Sequence, residues 1–160
     1  MYAIGQSQII LRGQNLQRNS GVEGGVVSLR ESKLLVEHTY AIGQSSLSHG
    51  GFLAAVNSHF HIEKSVISRS TGQNGCVIYS SGVNRNFDQE SLIALTNFKE
   101  NNCTASLFQL VNSNLKIDQT RFVDNNLKNN TGAISAISSY LDLNRLEVYN
   151  TDLVPEKKDI

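Results

Sequence analysis

Residues 113–125 read SNLKIDQTRFVDN, and a spaced pattern drawn from them decides the fold. The pattern is a small polar residue, apolar residues at offsets +2 and +4, a polar residue at +7, an apolar residue at +9 and a polar residue at +12. Here these are Ser113, Leu115, Ile117, Thr120, Phe122 and Asn125. Laid along the chain, the pattern occurs six times, starting at Ser7, Ser32, Ser58, Gln89, Ser113 and Ser139, at steps of 25, 26, 31, 24 and 26 residues. The fourth copy is the least regular, and the polar insertion SSGVNRNFDQE at 80–90 accounts for the long step before it.

Parity turns this pattern into a shape. A strand places offsets 0, +2 and +4 on one face, whereas +7 and +9 fall on the other unless the chain turns between +5 and +6. A second anchor lies seven residues before the next start: Gly25-Val26-Val27, Gly51-Phe52-Leu53, Ser106-Leu107-Phe108 and Gly132-Ala133-Ile134, with Gly75-Cys76-Val77 as the equivalent before the insertion. Apolar residues follow at alternate positions, as in Val27/Leu29, Leu53/Ala55, Val77/Tyr79 and Phe108/Leu110. Each repeat is thus predicted to hold three short strands closing a three-sided coil, with Gly suited to the corners because it tolerates positive φ. No coil can bury its own inner face, so successive coils must stack about 4.8 Å apart through parallel ladders. The expected fold is all-β, a right-handed single-stranded parallel β-helix of about six coils of roughly 25 residues. A single domain over 1–153 precedes a charged tail, 154–160. A leucine-rich repeat is the alternative, because LKIDQT and LDLNRL partly mimic its core; period-two alternation in each second half and a missing upstream LxxL speak against it.

Stacking gives the polar columns a structural role. The +12 column reads Asn19, Gln44, Ser70, Asn101, Asn125, Thr151, and amides and hydroxyls in register can bond from coil to coil. The Ser column at offset 0 is read the same way, since no serine in it has a His and carboxylate pairing visible in sequence.

The composition excludes several classes. With 14 basic and 14 acidic residues the chain has no net field to attract nucleic acid or an anionic membrane, and 39% hydrophobic content in 160 residues supports one core. No apolar run approaches the ~18–20 residues of a membrane span, and residues 1–13 lack the pattern of a signal peptide. Neither nucleic-acid binding nor membrane insertion by this chain is expected. Cys76 and Cys103 form no CxxC pair. They are read as free thiols, with a single bridge as the alternative; they fall at different positions of neighbouring repeats, so stacking is not expected to bring them face to face.

On the outward face of the third coil His59, His61 and Glu63 share one side, with Glu37 expected beside Glu63. Such a group can be drawn as a metal site, but H-x-H in a polar face is a weak signal, and no metal or other cofactor is expected. Lys116 beside Asp142 and Arg121 beside Glu147 are expected as surface ion pairs rather than a catalytic groove. Arg85 and Asp88 in the insertion have no assigned partner.

FKEN (98–101) and FVDN (122–125), with LQRN (16–19) as a looser copy, resemble the FxxN motif of polymorphic outer membrane protein repeats. GGVV (24–27) and TGAI (131–134) resemble the accompanying GGA[ILV] motif. Ala41 and Ile67 stand where that pattern has Phe, and Gln44 and Ser70 where it has Asn. The resemblance implies a β-helix of the pectin-lyase-like superfamily and, in that family, surface display and adhesion, hence an extracellular or cell-surface setting. The expected function is a non-catalytic, adhesion-type segment binding a carbohydrate or protein ligand through its outer polar faces. The alternative is a degenerate or truncated carbohydrate-active member. Neither end shows an amphipathic cap, so flanking coils of a longer solenoid, or self-association through open ends, are expected partners.

Overall fold

A computed structural model of the chain describes residues 1–82, 90–128 and 132–151. Gln89, Arg85, Asp88, Thr131 and the charged tail lie outside the described residues. Among the described residues there are 23 strands and no helix. This architecture excludes the leucine-rich alternative, whose repeats would need a helix or 3₁₀ turn.

All pairing is parallel, and the strands form four sheets. The first holds Tyr2–Ile4, Val27–Arg30, Leu53–Val56, Ile78–Ser81, Phe108–Val111 and Ile134–Ile137. The second holds Gln8–Arg12, Lys33–Glu37, His59–Glu63, Ser91–Ala94, Asn114–Asp118 and Tyr140–Asn144. The third holds Asn15–Gln17, Tyr40–Ile42, Val66–Ser68, Asn97–Lys99, Arg121–Val123 and Glu147–Tyr149. The fourth has only Ser20–Glu23, Ser45–His49, Thr71–Gly72, Asn102–Cys103 and Asn126–Leu127. The protein is a parallel β-solenoid of about five turns: the six sequence copies become five complete circuits and a sixth begun with three strands.

Two features differ from the sequence expectation. The coil has four sides, not three. The inward column of the fourth side begins Gly21, Ser46, Gly72, and such small residues leave no apolar alternation to read. The space there is tight at the start of the column: a Cβ on Gly21 would lie 2.9 Å from the Gly24 carbonyl oxygen and one on Gly72 3.1 Å from the Cys76 Cα. The third coil is also shifted by one residue. Ile78, not Val77, pairs with Leu53 and Phe108, so Ile78 and Ser80 face inward and Tyr79 faces out.

The predicted bend between +5 and +6 is a left-handed residue at +6, and the same conformation recurs before every polar column. Glu31, Asn57 and Asn112 precede offset 0, His38, Lys64, Leu95 and Gln119 precede +7, and Arg69, Glu100 and Asp124 precede +12, all with φ between 47° and 54°. Among the described residues glycine takes this place at Gly5, Gly13, Gly43 and Gly82. A left-handed residue with a side chain costs roughly 1–2 kcal/mol, least for Asn and Asp. Leu95 (φ 50°, 43% exposed) is the least suited. Leu95→Asn is expected to raise stability by about 1 kcal/mol. A melting temperature that does not rise would show that this strain is already relieved.

The inward columns make one continuous core. Leu34, Val36, Phe60, Ile62, Ile93, Leu115 and Ile117 line the second sheet, and Ala41, Ile67, Phe98 and Phe122 the third. Phe98, Phe108 and Phe122 pack edge to face, with centroids 4.8, 5.2 and 5.7 Å apart, in the geometry aromatic rings prefer.

Candidate functional site

Because a left-handed residue stands before it, each polar-column residue faces the interior at a corner, where its backbone N–H needs an acceptor. The next coil supplies one. Ser32 N–H donates to Ser58 Oγ at 3.1 Å, and Ser58 Oγ–H donates back to the Val56 carbonyl at 2.7 Å. Thr39 N–H donates to Ser65 Oγ at 3.1 Å, and Ser65 Oγ–H to the Glu63 carbonyl at 2.8 Å. The same unit recurs where Ser113 N–H meets Ser139 Oγ. The +7 column was therefore a second hydroxyl ladder whose role the sequence reading left unassigned; its signal was the run Thr39, Ser65, Thr96, Thr120.

The +12 column is the amide ladder. Asn19 donates through N–H and Nδ2 to Gln44 Oε1, at 3.1 and 2.9 Å. Ser70 N–H reaches Asn101 Oδ1 at 2.9 Å, Asn101 N–H and Nδ2 reach Asn125 Oδ1 at 3.1 and 2.8 Å, and Asn125 N–H reaches Thr151 Oγ1 at 3.1 Å. One rung is incomplete: Ser70 is too short, and its Oγ is buried without a hydrogen-bond partner. Ser70→Asn places an amide oxygen toward the Gln44 N–H and an amide nitrogen toward the Ala41 carbonyl, over a small side chain. An increase of about 1 kcal/mol in unfolding free energy is expected; a lower urea midpoint would mean that the corner lacks the room.

Outside, the second sheet brings His59, His61 and Glu63 to one side and pairs Glu63 with Glu37, as the spacing predicted. The two carboxylates are claimed by cations: Lys64 Nζ lies 2.7 Å from Glu63 and Arg12 Nε 2.6 Å from Glu37. His61 Nε2 stands 3.5 Å from Glu63. The Lys64 ammonium, by hydrogen bond and charge, holds the Glu63 carboxyl below its ordinary value, and Glu63 in turn raises Lys64. Among the described residues no group of three or more His, Cys, Asp or Glu is arranged to hold a metal ion.

The charge pairs continue along the axis. Lys116–Asp142 (3.4 Å) and Arg121–Glu147 (2.7 Å) form as the register predicted, joined by Arg69–Glu100 at 2.7 Å. Asn144 donates to Asp118 and Asn150 to Asp124, both at 2.7 Å.

The cysteines correct the sequence reading. Cys76 and Cys103 form a disulfide, with Cα atoms 5.4 Å apart and both residues fully buried; among the described residues no free cysteine remains. The one-residue shift puts Cys76 in the column of Gly25 and Gly51. A Cβ on Gly51 would point at the Thr71 carbonyl of the following coil's fourth side. At Cys76 the same direction leads to the strand Asn102–Cys103. Different repeat positions thus meet diagonally across a corner.

No known protein family matches this chain, and neither does any curated protein or solved structure.

Proposed function

We propose that this chain is a non-catalytic, adhesion-type β-helix segment of a surface or secreted repeat protein, binding a carbohydrate or protein ligand through its outer polar faces. The pectin-lyase-like assignment, with repeats of the polymorphic outer membrane protein kind, belongs to this proposal and rests on the FxxN and GGA[ILV] motifs. The observation that carries it is the pairing of outward charge: Glu37, Glu63, Glu100, Asp142 and Glu147 each meet a cation, four of the five from the adjacent coil. A general acid or base needs a carboxyl whose proton affinity is tuned to the reaction, and carboxylates neutralised by exposed cations instead make a repetitive polar surface. The buried disulfide supports an oxidising, extracytoplasmic setting.

The test is binding of immobilised chain to a panel of acidic polysaccharides and extracellular matrix proteins, with product formation followed in parallel. Salt-sensitive binding without turnover is expected, weakened when Lys116→Glu and Arg121→Glu are combined. Cleavage of any polysaccharide, or no binding across the panel, would overturn the reading.

A further inference from the structure

An asparagine side chain can be attacked at Cγ by the backbone nitrogen of the residue that follows it, and the solenoid decides where that nitrogen is available. In the corner ladders it is engaged. Asn102 N–H, after Asn101, donates to the Ser70 carbonyl at 3.0 Å, Ser113 N–H, after Asn112, to Ser139 Oγ at 3.1 Å, and Asn126 N–H, after Asn125, to the Asn101 carbonyl at 2.9 Å. Asn74 differs. It is followed by Gly75, the single Asn-Gly step of the sequence, and the Gly75 N–H has no acceptor among the described residues. Glycine also has no Cβ to shield its nitrogen. The fold requires it there, since at a φ of 52° a Cβ would collide with the Ile78 carbonyl. The half-buried Asn74 side chain has no hydrogen-bond partner among the described residues. Gly50 N–H donates to the Asn74 carbonyl at 3.2 Å, which draws charge from the Asn74–Gly75 peptide and eases loss of its proton.

The neighbouring coil holds a partner for the product. Parallel pairing puts Glu23, His49 and Asn74 in one column on three successive coils. The His49 ring meets Tyr79 edge to face, with centroids 4.3 Å apart, and its Nδ1 is buried without a hydrogen-bond partner. Glu23 is turned to Arg30, at 3.7 Å. A carboxylate at position 74 would give His49 Nδ1–H an acceptor, and a hydrogen bond to a charged acceptor is roughly twice as strong as a neutral one.

We propose that Asn74 is a site of spontaneous modification, in which the Gly75 nitrogen attacks Asn74 Cγ and the side-chain amide is lost. The new bond is Gly75 N to Asn74 Cγ; the Cγ–Nδ2 bond breaks, and ammonia leaves with Nδ2 and the Gly75 proton. Water then opens the succinimide ring. Opening at Cγ gives aspartate, whereas opening at the main-chain carbonyl gives isoaspartate, with an added methylene in the backbone. Water is consumed, ammonia is released, and no oxidant or reductant takes part. The bridge of Asn74 N–H to the Ser48 carbonyl at 3.0 Å, with Gly50 N–H on the Asn74 carbonyl, fits only the ordinary backbone, so together with His49 it favours aspartate. Each converted chain gains a negative charge two residues before the Cys76–Cys103 bridge. The proposal is independent of what the outer faces bind.

The experiment is peptide mapping by mass spectrometry of the full chain, its disulfide intact, held folded at mildly alkaline pH over a time course. The peptide containing Asn74 is expected to gain the mass difference between an amide and an acid at least about fivefold faster than those containing Asn101, Asn112 or Asn125, whose following N–H must first give up a hydrogen bond. Asn74→Gln, which would have to close a larger ring, is expected to abolish the change at that peptide. Enzymatic methylation specific for isoaspartate reads the product, and aspartate is expected to exceed it. His49→Phe keeps a ring against Tyr79 and removes the donor, so the aspartate share is expected to fall. An Asn74 left unchanged in the folded chain, or converting no faster than the other three, overturns the modification site. An isoaspartate excess, or a share indifferent to His49→Phe, overturns the pairing with His49.

Discussion

Replacing Cys76 and Cys103 together by Ala is expected to lower the unfolding free energy by about 3.5 kcal/mol. That is the loop-closure entropy restored to the unfolded chain when a bridge across 27 residues is removed. For a chain of this size the melting temperature should fall by about 10 °C. The bridged loop contains the polar insertion at 80–90. Fixing Cys76 to Cys103 ties the coil before the insertion to the coil after it. Because both sulfurs are buried, a reductant should act only through opened molecules, so loss of the bridge should be slow under native conditions and fast in mild denaturant. Thiol titration of protein prepared without reductant provides the check. Two titratable thiols after unfolding, or a double variant that melts with the parent, would sink the prediction and remove the support for an oxidising compartment.

Asn125→Ala should cost nearly as much, about 3 kcal/mol, for a different reason. Asn125 Oδ1 accepts from Asn101 N–H and Nδ2, and its Nδ2 donates to the Phe98 carbonyl at 3.0 Å and to Thr151 Oγ1 at 3.1 Å. Removing the amide takes the acceptor from the buried Asn101 N–H and the donor from the buried Phe98 carbonyl, and an unmet buried group costs roughly 1–3 kcal/mol. Asn125→Ser should recover only the Asn101 N–H rung. Chemical denaturation separates the cases: a loss below about 1 kcal/mol for the alanine variant would mean that the ladder is ornamental and the core carries the stack.

The outward ion pairs should matter far less to folding. Glu63 titrates below its ordinary value, so its contribution to stability is present above the unfolded pKa and is lost as pH falls through the folded one. Glu63 is only partly buried and Lys64 is exposed, so this acid loss should be slight beside that of the Cys76–Cys103 bridge.

Much of the molecule was legible from spacing. Residues at offsets +2, +4 and +9 had to be inward once +7 was known to follow a bend, so Leu115, Ile117 and Phe122 could be assigned to the core without coordinates. The register that pairs Lys116 with Asp142 and Arg121 with Glu147 follows from stacking like on like. The +12 amides declared themselves by recurring where an apolar run would otherwise continue. These inferences hold because a repeat that cannot bury its own face has one economical solution, which is to lie on its neighbour.

What escaped the sequence shares one cause, the geometry of the corner between the fourth and first sheets. Strands of two residues such as Thr71–Gly72 carry no hydrophobic period, so only their ladder of backbone hydrogen bonds reveals a fourth side. The shift that turns Ile78 inward and Tyr79 outward depends on how the chain leaves that corner. Cys76 and Cys103, unrelated in the linear repeat, meet because a Cβ there points along the solenoid axis into the next coil. The sequence by itself determined the period, the inward columns and the polar ladders, since each is a one-dimensional consequence of alternation. Only the tertiary structure decided the number of sides, the third coil's register and the disulfide, since each depends on the direction a side chain takes where alternation stops.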